Sequence, residues 1–316
     1  MITNVPTAAD LTTISLQLYF NAWGDVAKVV TEFRDIEPFD SEGNPDWSGY
    51  IEAAQSELQA TYTLILQSQE IGLKALIADV SPFLLIKRHE ARPIRAGSNE
   101  FDFSDFATID AADLVRVHNT FCATSLSPGF AEEFDKLRRA RNKIAHLGLF
   151  NDRLEPLAIL DLLFRQYREL YPGRRWLVDR LYYASKHRFA GYDFGGNWSE
   201  TGAVLQELWQ ALPELTPEQY EVVFGRRPEE PRFICPPCGH ALERHQEGNE
   251  PYQTDVPTAF MDGGDHVVCA LCLQRTPVAR RGCPSEDCEG DVIAGNAEWN
   301  GLCLTCGLTP EDVAER

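Results

Sequence analysis

Arg141, Asn142 and His146 are the side chains of this sequence best suited to chemistry on a phosphate. They fall within Leu137-Arg138-Arg139-Ala140-Arg141-Asn142-Lys143-Ile144-Ala145-His146-Leu147-Gly148. An arginine presents a planar fork of donors to phosphate oxygens. A histidine can both accept and release a proton near neutral pH. The combination points to cleavage of an RNA phosphodiester without a metal.

The spacing places these residues on one helix. At about 100° per residue, Phe134, Leu137, Ile144 and Ala145 share a face, and Arg141 is expected inside that apolar stripe. Asn142 and His146 are four apart and stack on the adjoining flank, so the trio spans roughly 140° of one edge. The alternative is a solvated face of Arg138, Arg139 and Lys143, with Arg141 favoured near a helix C-terminus by the dipole and His146 a helix-end residue before Gly148.

An arginine on an apolar stripe needs a partner, because a lone buried charge costs several kcal/mol, roughly. The stretch from Trp47 to Val80 reads as one long helix, with Leu58, Tyr62, Ile65, Leu73, Leu76 and Val80 at three- and four-residue intervals. Within it Leu66, Glu70, Leu73 and Ile77 form a stripe that is apolar except for Glu70. Glu70 is therefore the expected partner of Arg141, with Lys74, one turn on, as a competing local partner.

The segments Gln69-Glu70-Ile71-Gly72-Leu73-Lys74-Ala75-Leu76-Ile77, Ser81-Pro82-Phe83-Leu84-Leu85, Asp110-Ala111-Ala112-Asp113-Leu114-Val115-Arg116-Val117-His118-Asn119 and Arg141-Asn142-Lys143-Ile144-Ala145-His146 together resemble the HEPN superfamily of helical bundles. The resemblance covers roughly residues 10–190. Its nuclease members carry an arginine, four residues and a histidine, usually with a polar residue straight after the arginine, as Asn142 is here. The resemblance implies a metal-independent endoribonuclease that works as a homodimer, with the motifs of both subunits facing one cleft. It also implies a place in toxin–antitoxin, phage-defence or RNA-processing systems.

Charge and length fit a two-part protein. The 316 residues suffice for one sizeable helical domain and a smaller module. No basic segment leads into an apolar core at Met1-Ile2-Thr3-Asn4-Val5-Pro6, and no apolar run approaches the ~20 residues of a membrane span. No membrane association and a cytoplasmic location are expected. The formal net charge is −19, yet residues 87–188 hold eighteen Lys+Arg against fourteen Asp+Glu, a net of +4 that leaves −23 elsewhere. Lys87, Arg88, Arg92 and Arg95, then Lys136 to Lys143, then Arg165, Arg168, Arg174, Arg175, Arg180, Lys186 and Arg188 surround the motif. They form either a local basic cleft on an acidic body, admitting RNA, or ordinary helix-surface charges.

The expected helices are 8–34, as one or two segments interrupted near Gly24, then 47–80, 108–121, 129–147, 155–170 and 174–188. No strand pattern precedes residue 230, and Phe101 to Thr108 reads as a loop packed on the bundle. Gly191 to Gly196 reads as a linker, with connecting helices at 201–212 and 216–224, the second begun by Thr216-Pro217-Glu218.

Composition changes at Pro228-Glu229-Glu230-Pro231. Eight of the nine cysteines follow, as Cys235-x2-Cys238, Cys269-x2-Cys272, Cys283-x4-Cys288 and Cys303-x2-Cys306. Close thiolate pairs supply two metal ligands from one turn, and two pairs complete a tetrahedral zinc site. Gly239 and Gly307, each just after a pair, suit the left-handed backbone that turns amides toward sulfur. The pairs resemble zinc-ribbon knuckles. Sequential pairing joins Cys235, Cys238, Cys269 and Cys272 on one ion and Cys283, Cys288, Cys303 and Cys306 on another; an interleaved cross-brace is the alternative. Four thiolates leave no open position for water, so both sites are expected to be structural. His240, His245 and His266 read as surface histidines, and Cys122 as a small buried residue. From residue 231 onward there are six Lys+Arg against fourteen Asp+Glu. That balance favours docking of a protein partner or support of a dimer over general nucleic-acid binding, with Arg275, Arg280 and Arg281 kept for selective contact.

The expected architecture is thus mainly α: a HEPN-like helical bundle over 1–190, a helical linker over 191–230, and two zinc-ribbon-like modules with short β-hairpins over 231–316. In the expected site, His146 is general base or acid on the RNA 2′-hydroxyl and leaving oxygen. Arg141 stabilises the charged phosphorane, Asn142 orients the phosphate, and Glu70 holds Arg141. Lys143, Arg138, Arg139 and Lys74 contact substrate. The expected product end is a 2′,3′-cyclic phosphate. The rival reading is a non-catalytic helical scaffold, or a nucleic-acid-binding regulator, that recruits partners through its zinc ribbons.

Overall fold

The computed structural model describes residues 2–35, 46–87, 100–147, 153–186, 199–211, 215–246, 256–299 and 301–314, with backbone alone for 31–35, 144–147, 210–211 and 244–246. The chain is mainly helical, with a small antiparallel sheet near its C-terminus. It divides into two compact units, residues 1–172 and 173–316.

The first unit is built on α1 (Ala8–Asp35), α2 (Ser48–Ala53), α3 (Gln55–Val80), α4 (Ala111–Phe121), α5 (Pro128–Leu147) and α6 (Pro156–Leu170). Helix α1 buries Leu16, Tyr19, Phe20, Trp23, Val26, Ala27 and Val30, a three- and four-residue repeat, and runs unbroken through Gly24. The ~1 kcal/mol that a mid-helix glycine costs is small beside this buried stripe. The predicted helix over 47–80 is interrupted at Ala54, which ends α2 and precedes α3. Two strands of two residues each, β1 (Ile2–Thr3) and β2 (Phe101–Asp102), pair in parallel where no strand was expected. They are too short to carry an alternating pattern, and Phe103–Asp105 then forms a single 3-10 turn.

Polar contacts between the elements fix the helix directions. Ser15 and Ser68 exchange side-chain-to-carbonyl hydrogen bonds at 2.6 and 3.0 Å. Tyr50, in α2 just before α3, donates to the Val29 carbonyl at 3.3 Å, so the α2–α3 segment runs antiparallel to α1. The Gln55 side-chain amide grips the Leu154 backbone from both sides at 2.9 Å, and Gln166 donates to Ser68 at 2.6 Å, so α3 and α6 run parallel. The Ser127 amide donates to Glu169 at 3.2 Å and Arg165 pairs with Glu133 at 2.5 Å, which sets α5 antiparallel to α6. At Gly72, α3 lies so close to its neighbours that a Cβ would stand 3.0 Å from both Leu170 Cδ1 and Ser15 Oγ.

The second unit contains α7 (Trp176–Ser185), α8 (Glu200–Ala211), α9 (Pro217–Phe224), α10 (Pro236–Gln246), a four-stranded sheet and α11 (Pro310–Ala314). The helices expected to act as a linker, α8 and α9, belong to this unit together with α7. Arg180 of α7 and Glu207 of α8 form a bidentate pair at 3.0 and 2.5 Å, each side chain 15 % exposed. Helix α9 starts at a capping box between Thr216 and Gln219 and stops at left-handed Gly225. The sheet is an antiparallel meander of β3 (Ala259–Asp262), β4 (His266–Cys269), β5 (Arg275–Arg280) and β6 (Val292–Ala294), in that order. Gly263 and Gly264, at φ 73° and 97°, take the left-handed turn between β3 and β4.

Among the described residues, no helix is long and apolar enough to cross a membrane.

Candidate metal centres and the phosphate-site residues

The eight cysteines converge into two quartets. Cys235, Cys238, Cys269 and Cys272 form one, and Cys283, Cys288, Cys303 and Cys306 the other, with all sulfurs of a quartet within 4.8 Å of one another. This is the sequential pairing. Backbone pairing explains it: the Phe233–Ala259 bridge sets the first knuckle against the β3–β4 hairpin, and the Ile293–Cys303 bridge sets the last knuckle against β6.

The sulfur spacing fits a tetrahedral ion. Zinc–sulfur bonds of about 2.3 Å give tetrahedral edges of about 3.8 Å. The observed Sγ–Sγ distances are 3.6 Å for Cys235–Cys272, 3.8 Å for Cys238–Cys269, 3.6 Å for Cys283–Cys306 and 4.0 Å for Cys288–Cys303. A disulfide needs about 2.05 Å. The two quartets fit zinc-ribbon-like modules and have the donor set for structural zinc.

The surroundings favour thiolates. Cys269 Sγ lies 3.3 Å from the Leu271 amide, 3.4 Å from the Cys272 amide and 3.3 Å from the Thr258 hydroxyl. Cys283 and Cys288 accept from the Ser285 and Gly290 amides at 3.4 and 3.3 Å. Cys235 and Cys238 sit at the start of α10, where the helix dipole favours negative charge. Hydrogen bonds from Cys235, Cys238 and Cys272 hold the Cys269 thiol far below its ordinary pKa, while the contact with Cys235 pushes Cys238 far above. Four crowded sulfurs cannot all be anionic unless a cation sits among them.

The knuckle backbone departs in part from expectation. Gly307 is left-handed at φ 74°, as its position after Cys306 predicts. Gly239 is helical, because the first pair lies at the mouth of α10. In the second pair of that quartet the left-handed residue is Leu273, at φ 61°, which no glycine count could reveal. His240 is exposed beside Glu243 and His266 is bonded to Asp265, so neither joins a quartet; the His245 side chain lies outside the description. Cys122 is half-buried, and burial and then Asp79 push its thiol pKa up, which leaves it a poor nucleophile.

The residues expected to form a phosphate site lie on one helix, apart from Glu70 and Lys74, which are on α3. α5 is continuous from Pro128 to Leu147 and carries Arg138, Arg139, Arg141, Asn142, Lys143 and, by backbone alone, His146. Phe130, Phe134 and Leu137 are its buried stripe, but Arg141 is exposed rather than part of it, and Asn142 is half-buried. Arg138 and Arg139 are both held by Asp135, through different carboxylate oxygens at 2.6 and 2.5 Å. Among the described residues Arg141 and Lys143 have no ion pair.

Glu70 does not meet Arg141. It is half-buried in the middle of α3 and forms an ion pair with neither Arg141 nor Lys74. Gln166 touches Ser68 while neighbouring Arg165 touches Glu133, so Glu133 and Ser68 lie at about the same level of the bundle. Arg141 is eight residues beyond Glu133 in one direction and Glu70 two beyond Ser68 in the other. At 1.5 Å per residue the two are about 15 Å apart along the axis, beyond the reach of their side chains. The three-residue periodicity that put each on a stripe carries no information on level.

Much of the basic charge counted over residues 87–188 is ion-paired within its own unit. Lys87 pairs with Asp110, Arg165 with Glu133 and Asp161, Arg174 with Asp179 and Arg180 with Glu207. Arg88, Arg92, Arg95 and Arg188 lie outside the described residues. The Asp135 clamp, absent from the expected contacts, does have a signal in the spacing, since Arg138 and Arg139 follow Asp135 by three and four residues on one helix; the buried network of Ser15, Ser68, Gln166 and Tyr171 has none.

The chain matches no protein-family model, no curated protein and no solved structure.

Proposed function

We propose that this protein is a HEPN-type, metal-independent endoribonuclease, of the toxin or phage-defence kind, whose second unit is held by two structural zinc ions. The observation that carries this reading is the unbroken helix α5. It sets Arg141 and Lys143, exposed and without an ion pair among the described residues, beside Asn142, with His146 one turn beyond Asn142 along the helix.

In this reading Arg141 binds the scissile phosphate and stabilises the charge that grows on it, Asn142 donates to a phosphate oxygen, and Lys143 adds a backbone contact. His146 removes the 2′-hydroxyl proton as that oxygen attacks phosphorus, and the 5′-oxygen leaves with a proton returned by the histidinium, directly or through water. The products are a 2′,3′-cyclic phosphate and a 5′-hydroxyl. A homodimer would supply two copies of the motif to one cleft, as the resemblance implies. Glu70 and Lys74 stand apart from this constellation. The zinc ions hold the fold of the second unit, which is read as the docking surface for a protein partner or the substrate.

Incubation of purified protein with RNA tests the chemistry. Cleavage is expected to persist after brief exposure to EDTA, to fail on DNA and on 2′-O-methyl RNA, and to vanish in His146→Ala and Arg141→Ala. Cleavage of DNA, or a strict need for added magnesium, overturns the mechanism.

A second reading rests on the Asp135 clamp. With Arg138 and Arg139 already neutralised, α5 serves as a charged surface of a non-catalytic scaffold, and the zinc ribbons recruit the partner. Intact RNA after incubation with a well-folded, zinc-loaded protein selects it.

A further inference from the structure

The two quartets differ in their protection from solvent. In the first, Cys235, Cys238 and Cys269 are 1 %, 1 % and 0 % exposed, and only Cys272 is half-buried. In the second, only Cys303 is buried, while Cys283, Cys288 and Cys306 are all half-buried. The chain around the second quartet is also more open: Pro284, Glu286, Asp287 and Glu289, between Cys283 and Gly290, are exposed. Two of these half-buried sulfurs, Cys283 and Cys306, are 3.6 Å apart.

We propose that the second quartet is an oxidation site, a peroxide-responsive zinc centre, and that the first is permanent. The inference rests on the zinc reading of the quartets. A hydroperoxide reaches a half-buried sulfur, Cys283 or Cys306. The thiolate attacks the terminal peroxide oxygen, the O–O bond breaks, and a sulfenic acid and hydroxide form. The second thiolate of the pair then attacks that sulfur and expels a second hydroxide. The net change is two thiolates and one hydrogen peroxide to one disulfide and two hydroxides. Two ligands are gone, so the zinc ion leaves. Closing the sulfurs from 3.6 Å to about 2.05 Å is a local movement. A thiol reductant and zinc reverse it. In the first quartet only Cys272 is open to the first attack, against three sulfurs in the second, and its 3.6 Å neighbour Cys235 is buried, so oxidation there is slower.

The test uses the full chain carrying Cys122→Ser, so that the lone thiol consumes no oxidant. Metal analysis comes first: about two zinc ions per chain are required, and fewer would sink the zinc reading itself. Hydrogen peroxide is then titrated in while a chromogenic chelator reports free zinc and mass spectrometry after alkylation maps each cysteine. The expected result is release of about one zinc per chain in a first phase. Cys283 and Cys306 become disulfide-linked while Cys235, Cys238 and Cys269 stay reduced, and dithiothreitol with zinc restores the starting state. Parallel loss of both ions, earlier oxidation of the first quartet, or retention of both ions until cysteines become sulfonic acids each overturns the ordering while leaving the zinc assignment intact.

Discussion

Ile234 donates its backbone N–H to the carbonyl of Leu304 at 2.8 Å, and each of the two adjoins a cysteine of a different quartet, Cys235 and Cys303. The two cysteine quartets are therefore mechanically connected. The Leu304 amide in turn donates to Val292 at 2.9 Å, and β6 is paired with β5, which is paired with β4 and its Cys269.

Loss of the second site should accordingly be felt at the first. Binding energy at a thiolate site is folding energy, so Cys303→Ser is expected to remove one zinc ion and speed removal of the other by a chelator, while the helices of the first unit persist. Zinc content, chelation kinetics and circular dichroism read the three parts. An unchanged rate of loss from the first quartet would show that the Ile234–Leu304 bond transmits nothing.

Gly290 offers a gentler perturbation. A Cβ there would lie 2.5 Å from Thr305 Oγ1 and 3.1 Å from Cys303 Sγ, while the Gly290 amide donates to Cys288. Gly290→Ala must push the 288–290 segment off the knuckle. Competition with a chelator is expected to show affinity weakened by tenfold or more at the second site, about 1.4 kcal/mol or above, with a smaller effect at the first. Equal affinity in the variant would mean that the segment yields at no cost.

The metal quartets were legible because four ligands arrive as close pairs whose spacing is itself the signal. Helix faces were legible for a related reason: Phe130, Phe134 and Leu137 repeat with the helix period. What could not be read is the level at which two helices meet. Glu70 and Arg141 each have a plausible face, but only the contacts of Ser68, Gln166, Arg165 and Glu133 locate them along the bundle. The same holds for Gly72 and the Ser15–Ser68 exchange, which depend on how closely three helices approach.

That close approach can be tested by one methyl group. Gly72→Ala would place a Cβ 3.0 Å from Ser15 Oγ and Leu170 Cδ1. Overpacking of this kind costs about 1–3 kcal/mol, more than the ~1 kcal/mol that alanine gains over glycine in a helix. A lowered melting temperature of the first unit with unchanged zinc content is the expected outcome, and a raised one would show that the helices can separate freely.

Two acids two residues apart on α5 should titrate on opposite sides of their ordinary values. The hydrogen bond from Arg138 holds the Asp135 carboxyl down, and burial raises that of Glu133 against the pull of Arg165. For Asp135 the folded value lies below the unfolded one, so its contribution to stability is present above about pH 4 and is lost as pH falls through the lowered value. For Glu133 the sign reverses: charging it costs stability as pH rises through the unfolded value. Carbon-detected NMR of the side chains should find Asp135 below about 3.9 and Glu133 above about 4.3. Asp135→Asn should also free Arg138 and Arg139, tightening RNA binding and steepening its salt dependence. Unchanged binding would take both arginines out of the phosphate-contact set.

Glu70 separates the axial geometry from the pattern of the sequence. If Glu70 positioned Arg141, removing its charge would release the arginine and suppress cleavage almost as strongly as Arg141→Ala. With the two about 15 Å apart along the bundle, Glu70→Gln is expected to retain RNA cleavage within about twofold of the parent, with any change confined to stability. Arg141→Ala and His146→Ala should abolish it. The isosteric glutamine keeps the packing of α3, so the comparison reads charge alone. A well-folded Glu70→Gln protein that has lost cleavage, with kcat reduced and KM unchanged, would place the carboxylate back beside the reacting phosphate and refute the level assigned to α5.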